Sequence, residues 1–547
     1  MVLIWVALLL TVLLGFTAWA VDYGHWQRER ARMQKAADAA ALAGAVFMPE
    51  NPGGIAFTTA RQVAARNGYA DGQGGVSVAV SQGTYPNQIR VRITRVVRNA
   101  FAQVVGFAST TLRRQAVGEY QRPVSMGSPI NQFGNDPESA APRGSARFPD
   151  FWGNVFGPAS TKQKGDAIQS TLCSAGTDNC SGTNSDYDPN GYFYAVEVQA
   201  AQSPLRVEVF DPAFAHVGDN CGDSNGGSNL LGASQLPPNF NPVFAVPDPA
   251  VRYHPAATSR YCTGDQFFAD QAGNTQVPWT TWRVLGPDDT PGDPTDNPQV
   301  CGVQFPGYRG DLRAALLATT PQAGAPGVFA SYFRQWYAIC TVANPQVGTY
   351  FVQVQTARRL AGTATPFGGG ANRWALRASL GGNPTSSAVR IYGYGRMGIY
   401  ANSTAANTTF YLARVLPGSR GRTLVLTFFD VGDAAQPGTI TVRPPPDANV
   451  GLTFEGCRHT PPPGPATGPP WGTFVNTAPG CSITNVHSGT YNGQWIQVRI
   501  PIPDTYTCDY ADPYGCWTRV NFAYPAAVSD TTTWSAQMTG DPVRIIE

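Results

Sequence analysis

Residues 31–46 read ARMQKAADAAALAGAV, an alanine-rich run with one acid, Asp38, that begins ten residues after an uncharged apolar stretch ends. Alanine and long unbranched side chains favour helix strongly. No proline interrupts the pattern before Pro49, and Asn51-Pro52-Gly53-Gly54 then stops it. Small residues recur every fourth position: Ala36, Ala40 and Gly44 on one row, Ala37, Ala41 and Ala45 beside it. Such rows let helix backbones approach closely. Two partners suit them equally: a helix of a neighbouring chain, or a sheet of the same chain.

Outward toward the N-terminus, Val2–Val21 reads VLIWVALLLTVLLGFTAWAV without a charge. About 20 apolar residues is the length that spans a bilayer core. A cleaved signal peptide is the competing reading, with TAWA at residues 17–20 as a weak cleavage site. The uninterrupted helical pattern that follows favours an uncleaved single-pass anchor. Together the two segments predict one helix from Val2 to about Phe47, ~70 Å long. Arg28, Arg30, Arg32 and Lys35 follow the apolar run, which by the positive-inside rule places the rest of the chain in the cytoplasm. The cysteines described below argue for the outside, and basic residues upstream of this start would reconcile the two.

The apolar anchor, the exit VDYG (Val21–Gly24), the basic patch and QKAADAAALAGA (Gln34–Ala45) resemble the N-terminal region of Flp pilus-assembly proteins of the TadE/TadG type. The resemblance implies a membrane-anchored minor pilin or assembly component of a Flp/Tad-type pilus, with pilus or secretion-system proteins as partners. It departs from the family's processed prepilins, since no basic leader, cut-site glycine or nearby glutamate is visible. The von Willebrand metal motif of some large relatives is also absent. Residues to 120 fit a small α+β pilin-like unit. Thr58 caps a helix ending at Arg66, Asn67-Gly68 stops it, and strands follow at Val76–Ser81, Gln88–Thr94 and Thr110–Tyr120, with a short helix at Asn99–Gly106. Arg90, Arg92, Arg95, Arg98, Arg113 and Arg114 crowd this unit, as a solvated sheet face or as contacts to anionic headgroups.

A chain of 547 residues needs several domains. Charged residues make up only 14%, against roughly 25% in average soluble domains, while Gly (59) and Pro (46) are abundant. That composition suits turn-rich β structure. A net charge of +2 gives no basic domain and no argument for nucleic acid. All ten cysteines follow residue 172 and fall into sequence neighbours: Cys173/Cys180, Cys221/Cys262, Cys301/Cys340, Cys457/Cys481 and Cys508/Cys516. An even number in loop-rich sequence suggests disulfides formed in an oxidising, extracytoplasmic compartment.

Residues 121–150 lack periodicity and read as a linker. Short strand patterns follow, among them Tyr192–Ala200, Leu205–Phe210, Gly348–Thr356, Trp374–Leu380, Thr408–Val415, Thr423–Phe429, Gln494–Ile500 and Trp517–Ala523. The segment 192–212 (YFYAVEVQAAQSPLRVEVFDP) echoes 409–433 (TFYLARVLPGSRGRTLVLTFFDVGD): an aromatic strand, a turn, then an apolar strand ending in Phe-Asp. The expected architecture is therefore multidomain and mainly β. A transmembrane helix runs into the stem at 1–120, a linker covers 121–150, and two β-sandwich or jelly-roll domains occupy 151–365 and 366–547.

No nucleophile elbow, zinc-protease helix, Walker loop or dinucleotide fingerprint occurs, so no enzyme is expected. DYDPNGYFYAVE (Asp186–Glu197) satisfies the calcium-loop pattern, with Asp186, Asp188, Asn190 and Glu197 as ligands. The competing reading is an Asx turn entering a strand. Asp288, Asp289, Asp293 and Asp296 form a weaker acidic cluster, and Asp211, Asp430 and Asp433 mark sandwich rims where ions bind or turns are capped. Beyond calcium no cofactor is implied. The alternative to a pilus role is a surface adhesin that binds calcium or a glycan through its β domains.

Overall fold

The structure is a computed structural model that describes residues 2–48, 54–212, 266–267, 278–305, 335–356, 368–403, 407–464 and 471–546, apart from positions 138, 143, 175, 177–179, 289, 291, 479 and 527. It divides into two compact units, a stem of residues 1–122 with 540–547 and a β unit of residues 123–539.

In the stem, α1 runs unbroken over Val2–Ala45 and α2 spans Ile55–Arg66. Thr58 does not cap α2. Gly54 is the N-cap, and the Thr58 hydroxyl lies in the first turn, donating to the Gly54 carbonyl at 2.9 Å. The helix starts earlier than expected because Ala56 joins Ala60 and Ala64 in one buried stripe. Strands β1 (Val76–Gln82), β2 (Gln88–Arg98) and β3 (Ser109–Tyr120) pair antiparallel in sequence order. A C-terminal strand, Val543–Ile545, joins the free edge of β3, with Arg544 opposite Glu119.

The two small-residue rows of α1 are spent inside this unit. Ala36, Ala37, Ala40, Ala41 and Ala45 are buried with Ile89, Val91, Ile93, Leu112 and Ala116 of the sheet and with the alanine stripe of α2. Closeness is enforced from both sides. A Cβ at Gly44 would come within 2.7 Å of Ile89 Cδ1, and one at Gly118 of β3 within 2.5 Å of the Ala41 carbonyl oxygen.

Two large sheets make up the β unit. One has ten strands, in the order Gln299–Phe305, Thr280–Leu285, Gly348–Gln355, Tyr192–Val198, Val389–Tyr394, Ser125–Met126, Asn407–Arg414, Trp517–Ala523, Gly438–Arg443 and Ser482–Val486. The other has twelve, built on the order Trp336–Val342, Leu205–Phe210, Gly370–Leu380, Phe151–Phe156, Arg396–Ser403, Val528–Met538, Thr423–Phe429, Trp495–Pro501, Arg458–His459 and Val475–Asn476. Gln132–Phe133 and Gln266–Phe267 add to Gly370–Leu380. The echoed segments take equivalent routes. β4 (Tyr192–Val198) and β6 (Asn407–Arg414) lie in the ten-stranded sheet, while β5 (Leu205–Phe210) and β7 (Thr423–Phe429) lie in the twelve-stranded one.

Both sheets run through the expected boundary at 365/366. Gly370–Leu380 pairs with β5, and Val389–Tyr394 pairs with β4, so both strands complete the first half. The change of partners falls after Tyr394, at Gly395 (φ +73°). Nor is 121–150 a linker. Ser125–Met126 bridges Val389–Tyr394 to β6, and Met126, Ile130 and Phe133 are buried. One core runs from Val124 to Ala536, and Phe151 touches Phe410 across the two halves with ring centroids 5.3 Å apart. Disulfides join Cys173–Cys180, Cys301–Cys340, Cys457–Cys481 and Cys508–Cys516. Cys221 and Cys262 lie outside the described residues.

Candidate functional site

Among the described residues no helix is long and apolar enough to cross a membrane, so the expected single span is not supported. The first half of α1 nevertheless carries a continuous exposed apolar surface: Val2, Leu3, Ile4, Trp5, Val6, Leu9, Leu10, Leu13, Phe16 and Trp19 are each more than half exposed. Consecutive residues 2–6 point to all sides of a helix, so no single stripe faces a core. A helix apolar on every side needs cover from lipid or from other protein.

A second apolar element meets this surface. The β2–β3 connection, residues 99–108, holds a short 3-10 turn, Ala102–Val105. It exposes Phe101, Val104 and Phe107, the last two at 84% and 68%. Buried Asp22 of α1 organises the turn by accepting the amides of Ala100 (2.8 Å), Phe101 (3.0 Å) and Ala102 (2.6 Å). Burial by itself would raise the Asp22 carboxyl, but the three amides hold it below the usual carboxylate range. Trp26 donates its indole N–H to Asn99 Oδ1 at 3.0 Å, and Asn99 donates to the Phe107 carbonyl at 2.8 Å. Gly106 supplies the left-handed residue, φ +93°, that closes the turn. Between α1 and this turn lies an apolar hollow of about 800 Å³, lined by Trp19, Trp26, Phe101, Val104 and Phe107 with Gly15 and Ala18. Arg28 of α1 and Arg98 at the end of β2 are exposed in the same unit.

Of the six sheet arginines, Arg95 is taken by Glu29 at 2.5 Å and lies over the Tyr69 ring. Tyr69 donates to the same Glu29 at 3.0 Å, and burial, then that hydrogen bond, pushes its hydroxyl up to about 12. Arg92 donates to Gln115 at 3.3 Å. Sequence reasoning missed Asp22, Asn99 and the apolar tip. The available signal was FAQVVGF (Phe101–Phe107), four large hydrophobes in a turn where polar residues are the rule.

The calcium-loop residues are not brought together as ligands. Asp186 receives Lys162 Nζ and Trp495 Nε1, each at 3.0 Å, and Asp188 pairs with Arg396 at 2.5 Å. Asp188 also caps the turn by accepting the Asn190 amide. Glu197 lies on β4 opposite Arg390. Two protein cations thus neutralise the carboxylates that calcium would need. Asp288 and Asp293 cap turns through Thr290 and Thr295, and Asp289 lies outside the described residues.

Residues 1–46 match the model of the Flp pilus-assembly TadE/G-like family. The match covers α1 and the turn after it, including the exposed apolar half and the buried small rows. No curated protein matches the chain. Among solved structures, the N-terminal CBM22-1-CBM22-2 tandem domain from Paenibacillus barcinonensis Xyn10C aligns at 9% identity over 86% of this chain and 92% of its own, with a TM-score of 0.14. That likeness is too slight to carry an argument about the β unit.

Proposed function

We propose that the protein is a non-enzymatic cell-envelope component of a Flp/Tad-type pilus system, held at a membrane by its N-terminal helix. The family match over residues 1–46 carries this reading, and the exposed apolar half of α1 supports it. The stem has two surfaces of different character. Its sheet-facing helix rows are consumed in folding. Its apolar end, with the Phe101–Phe107 tip, suits contact with acyl chains, and the exposed Arg28 and Arg98 of the same unit suit anionic headgroups. The disulfide-bonded β unit, outside the cytoplasm, is the part that meets surface ligands. Acting as a minor pilin, an assembly factor or an adherence factor are the roles open to such a molecule.

Fractionation of cells that make the full chain tests this. The protein is expected in the membrane fraction and in cross-linked complexes with pilus components, or in sheared pili. If it sediments with membranes but never associates with pilus components, the pilus role falls and attachment stands. Recovery in the soluble fraction alone would overturn both.

A further inference from the structure

A guanidinium drawn out of water needs an anion to compensate it. In the β unit Arg377 has Glu208 at 2.8 Å, and Arg396 has Asp188 at 2.5 Å. Arg147 and Arg519 are half-buried, and neither has a carboxylate within ion-pair distance among the described residues. Arg147 donates to Asn131 Oδ1 at 3.0 Å. Arg519 reaches the Tyr411 hydroxyl only at 3.4 Å, and its buried Nε has no partner among the described residues. Burial, first among its influences, draws the pKa of Arg147 below its ordinary value, with Tyr514 and Asp136 acting the other way.

The two arginines line one cleft of about 500 Å³, together with Tyr411, Tyr514, Ser145 and Thr409. Strand register builds one side of it. Tyr411 of β6 lies opposite Arg519, and Arg519 lies opposite Arg443 of the next strand. Their neighbours Phe410, Val520 and Val442 belong to the core, so alternation puts all three on the outer face of the ten-stranded sheet. The Arg519 guanidinium lies over the Tyr411 ring, 5.0 Å from its centroid. Arg443 is exposed, and like charges directly opposite on neighbouring strands repel. Buried Trp517 backs Tyr411, with ring centroids 6.0 Å apart. Tyr514 stands 6.4 Å from Tyr411 at an interplanar angle of 50°, and is 45% exposed. Its loop is closed by the Cys508–Cys516 disulfide. Asp512 accepts the Tyr514 amide at 3.0 Å, and the Pro513 carbonyl accepts the Trp517 indole N–H at 3.1 Å. The ring is thus presented on pinned backbone. Arg147 comes from a turn in which the Ser145 hydroxyl accepts the Phe148 amide at 3.2 Å.

We propose that the cleft between Tyr411, Tyr514, Arg147 and Arg519 binds an acidic saccharide, a pyranose that carries a carboxylate. Tyrosine offers an apolar ring face and a polar tip, which matches the apolar C–H face and the hydroxyl rim of a sugar. A guanidinium takes a carboxylate through paired N–H groups, and the sugar's carboxylate supplies the anion that Arg147 and Arg519 lack. Ser145 and Thr409 add hydroxyls to the lining. A bare inorganic anion would leave both rings unused, and a neutral sugar would leave both arginines uncompensated. The volume lies within the range of small-molecule sites. The assignment rests on the reading of the β unit as the part that meets surface ligands, and is independent of the pilus role.

The test titrates the detergent-solubilised full chain, at fixed ionic strength, with trigalacturonate, sialyllactose and a hyaluronan hexasaccharide. Maltotriose and sodium sulfate serve as the neutral and the inorganic controls. Calorimetry and intrinsic fluorescence read binding. At least one acidic saccharide is expected to bind, and both controls at least tenfold more weakly. Arg519→Gln and Tyr514→Ala should each weaken binding at least tenfold. Tyr514→Ala removes an exposed ring and leaves the unfolding temperature unchanged, so its result stands even where Arg519→Gln fails to fold. Indifference to all three acidic probes overturns the proposal, as does sulfate binding as tightly as they do. Affinity retained in Tyr514→Ala, or lost equally in Arg61→Gln on the stem, overturns it too. Saccharide binding by a chain that never associates with pilus components leaves the cleft standing, while pilus association without saccharide binding removes the cleft alone.

Discussion

At the scale of single residues, the small rows of α1 show how far a pattern reaches. Ala36, Ala40 and Gly44 announce a close backbone approach but not its partner, because a neighbouring helix and the chain's own sheet ask for the same residues. The deciding residue is Gly118, whose place under Ala41 is a matter of strand register that no local pattern encodes. Gly118→Ala forces its Cβ against backbone, which cannot swing aside, and should destabilise the stem by about 1–3 kcal/mol. Gly24→Ala is the opposite case. A Cβ there meets nothing within 4 Å, and the gain in helix propensity should stabilise α1 locally by up to ~1 kcal/mol. Hydrogen exchange of stem amides, measured separately from those of the β unit, reads both effects. The calcium-like loop shows the same limit: Lys162 and Arg396, which pair with Asp186 and Asp188, lie 24 and 208 residues from their partners, beyond the reach of a local pattern.

At the scale of elements, legibility followed hydrophobicity. Leu205–Phe210, Thr423–Phe429 and Trp517–Ala523 begin and end where the sequence suggests. Val528–Met538 was missed because three consecutive threonines precede its core residues Trp534 and Ala536 and hide the alternation. Thr531, Thr532 and Thr533 are buried, and the latter two donate to the Phe429 and Gly165 carbonyls. The C-terminal strand was missed because three residues carry no period. It is held by chemistry instead: Arg544 grips buried Glu119 with two nitrogens at 2.9 and 2.8 Å, and Gln88 donates to the same carboxylate at 3.1 Å. Arg544→Ala would leave Glu119 with amide donors but no cation. Because Arg544 is one-third exposed, the expected loss is about 1–3 kcal/mol of stem stability, with faster exchange along the Gly118–Ile545 ladder. Arg544→Lys should recover only part of it, since a single ammonium cannot reproduce the fork. Unchanged protection in Arg544→Ala would show that strand pairing alone holds the terminus.

At the scale of the whole molecule, the chain leaves the stem at Arg122 and returns at Gly540, and the two units answer acid differently. Asp22 lies in the stem with a carboxyl held below its ordinary value of 3.8. The folded state there prefers the charged form, so its contribution is present above the unfolded value and is lost as pH falls through the folded one. Asp530 lies in the β unit with its carboxyl well above 3.8. The fold holds a proton there that the unfolded chain releases near that value. The native state therefore binds more protons, and stability from this group falls as pH rises through the window between the two values. Asp166, also raised by burial, contributes with the same sign, so the Asp530 part is the difference between wild type and Asp530→Asn. Raising the pH from 4 toward neutrality should cost the wild-type β unit more than the variant, while the Asp22 contribution to the stem is already present across that range and is lost only below it. Hydrogen exchange resolved by unit, carried from below pH 4 to neutrality, measures both trends, and parallel behaviour of wild type and variant would remove Asp530 as the source of the difference.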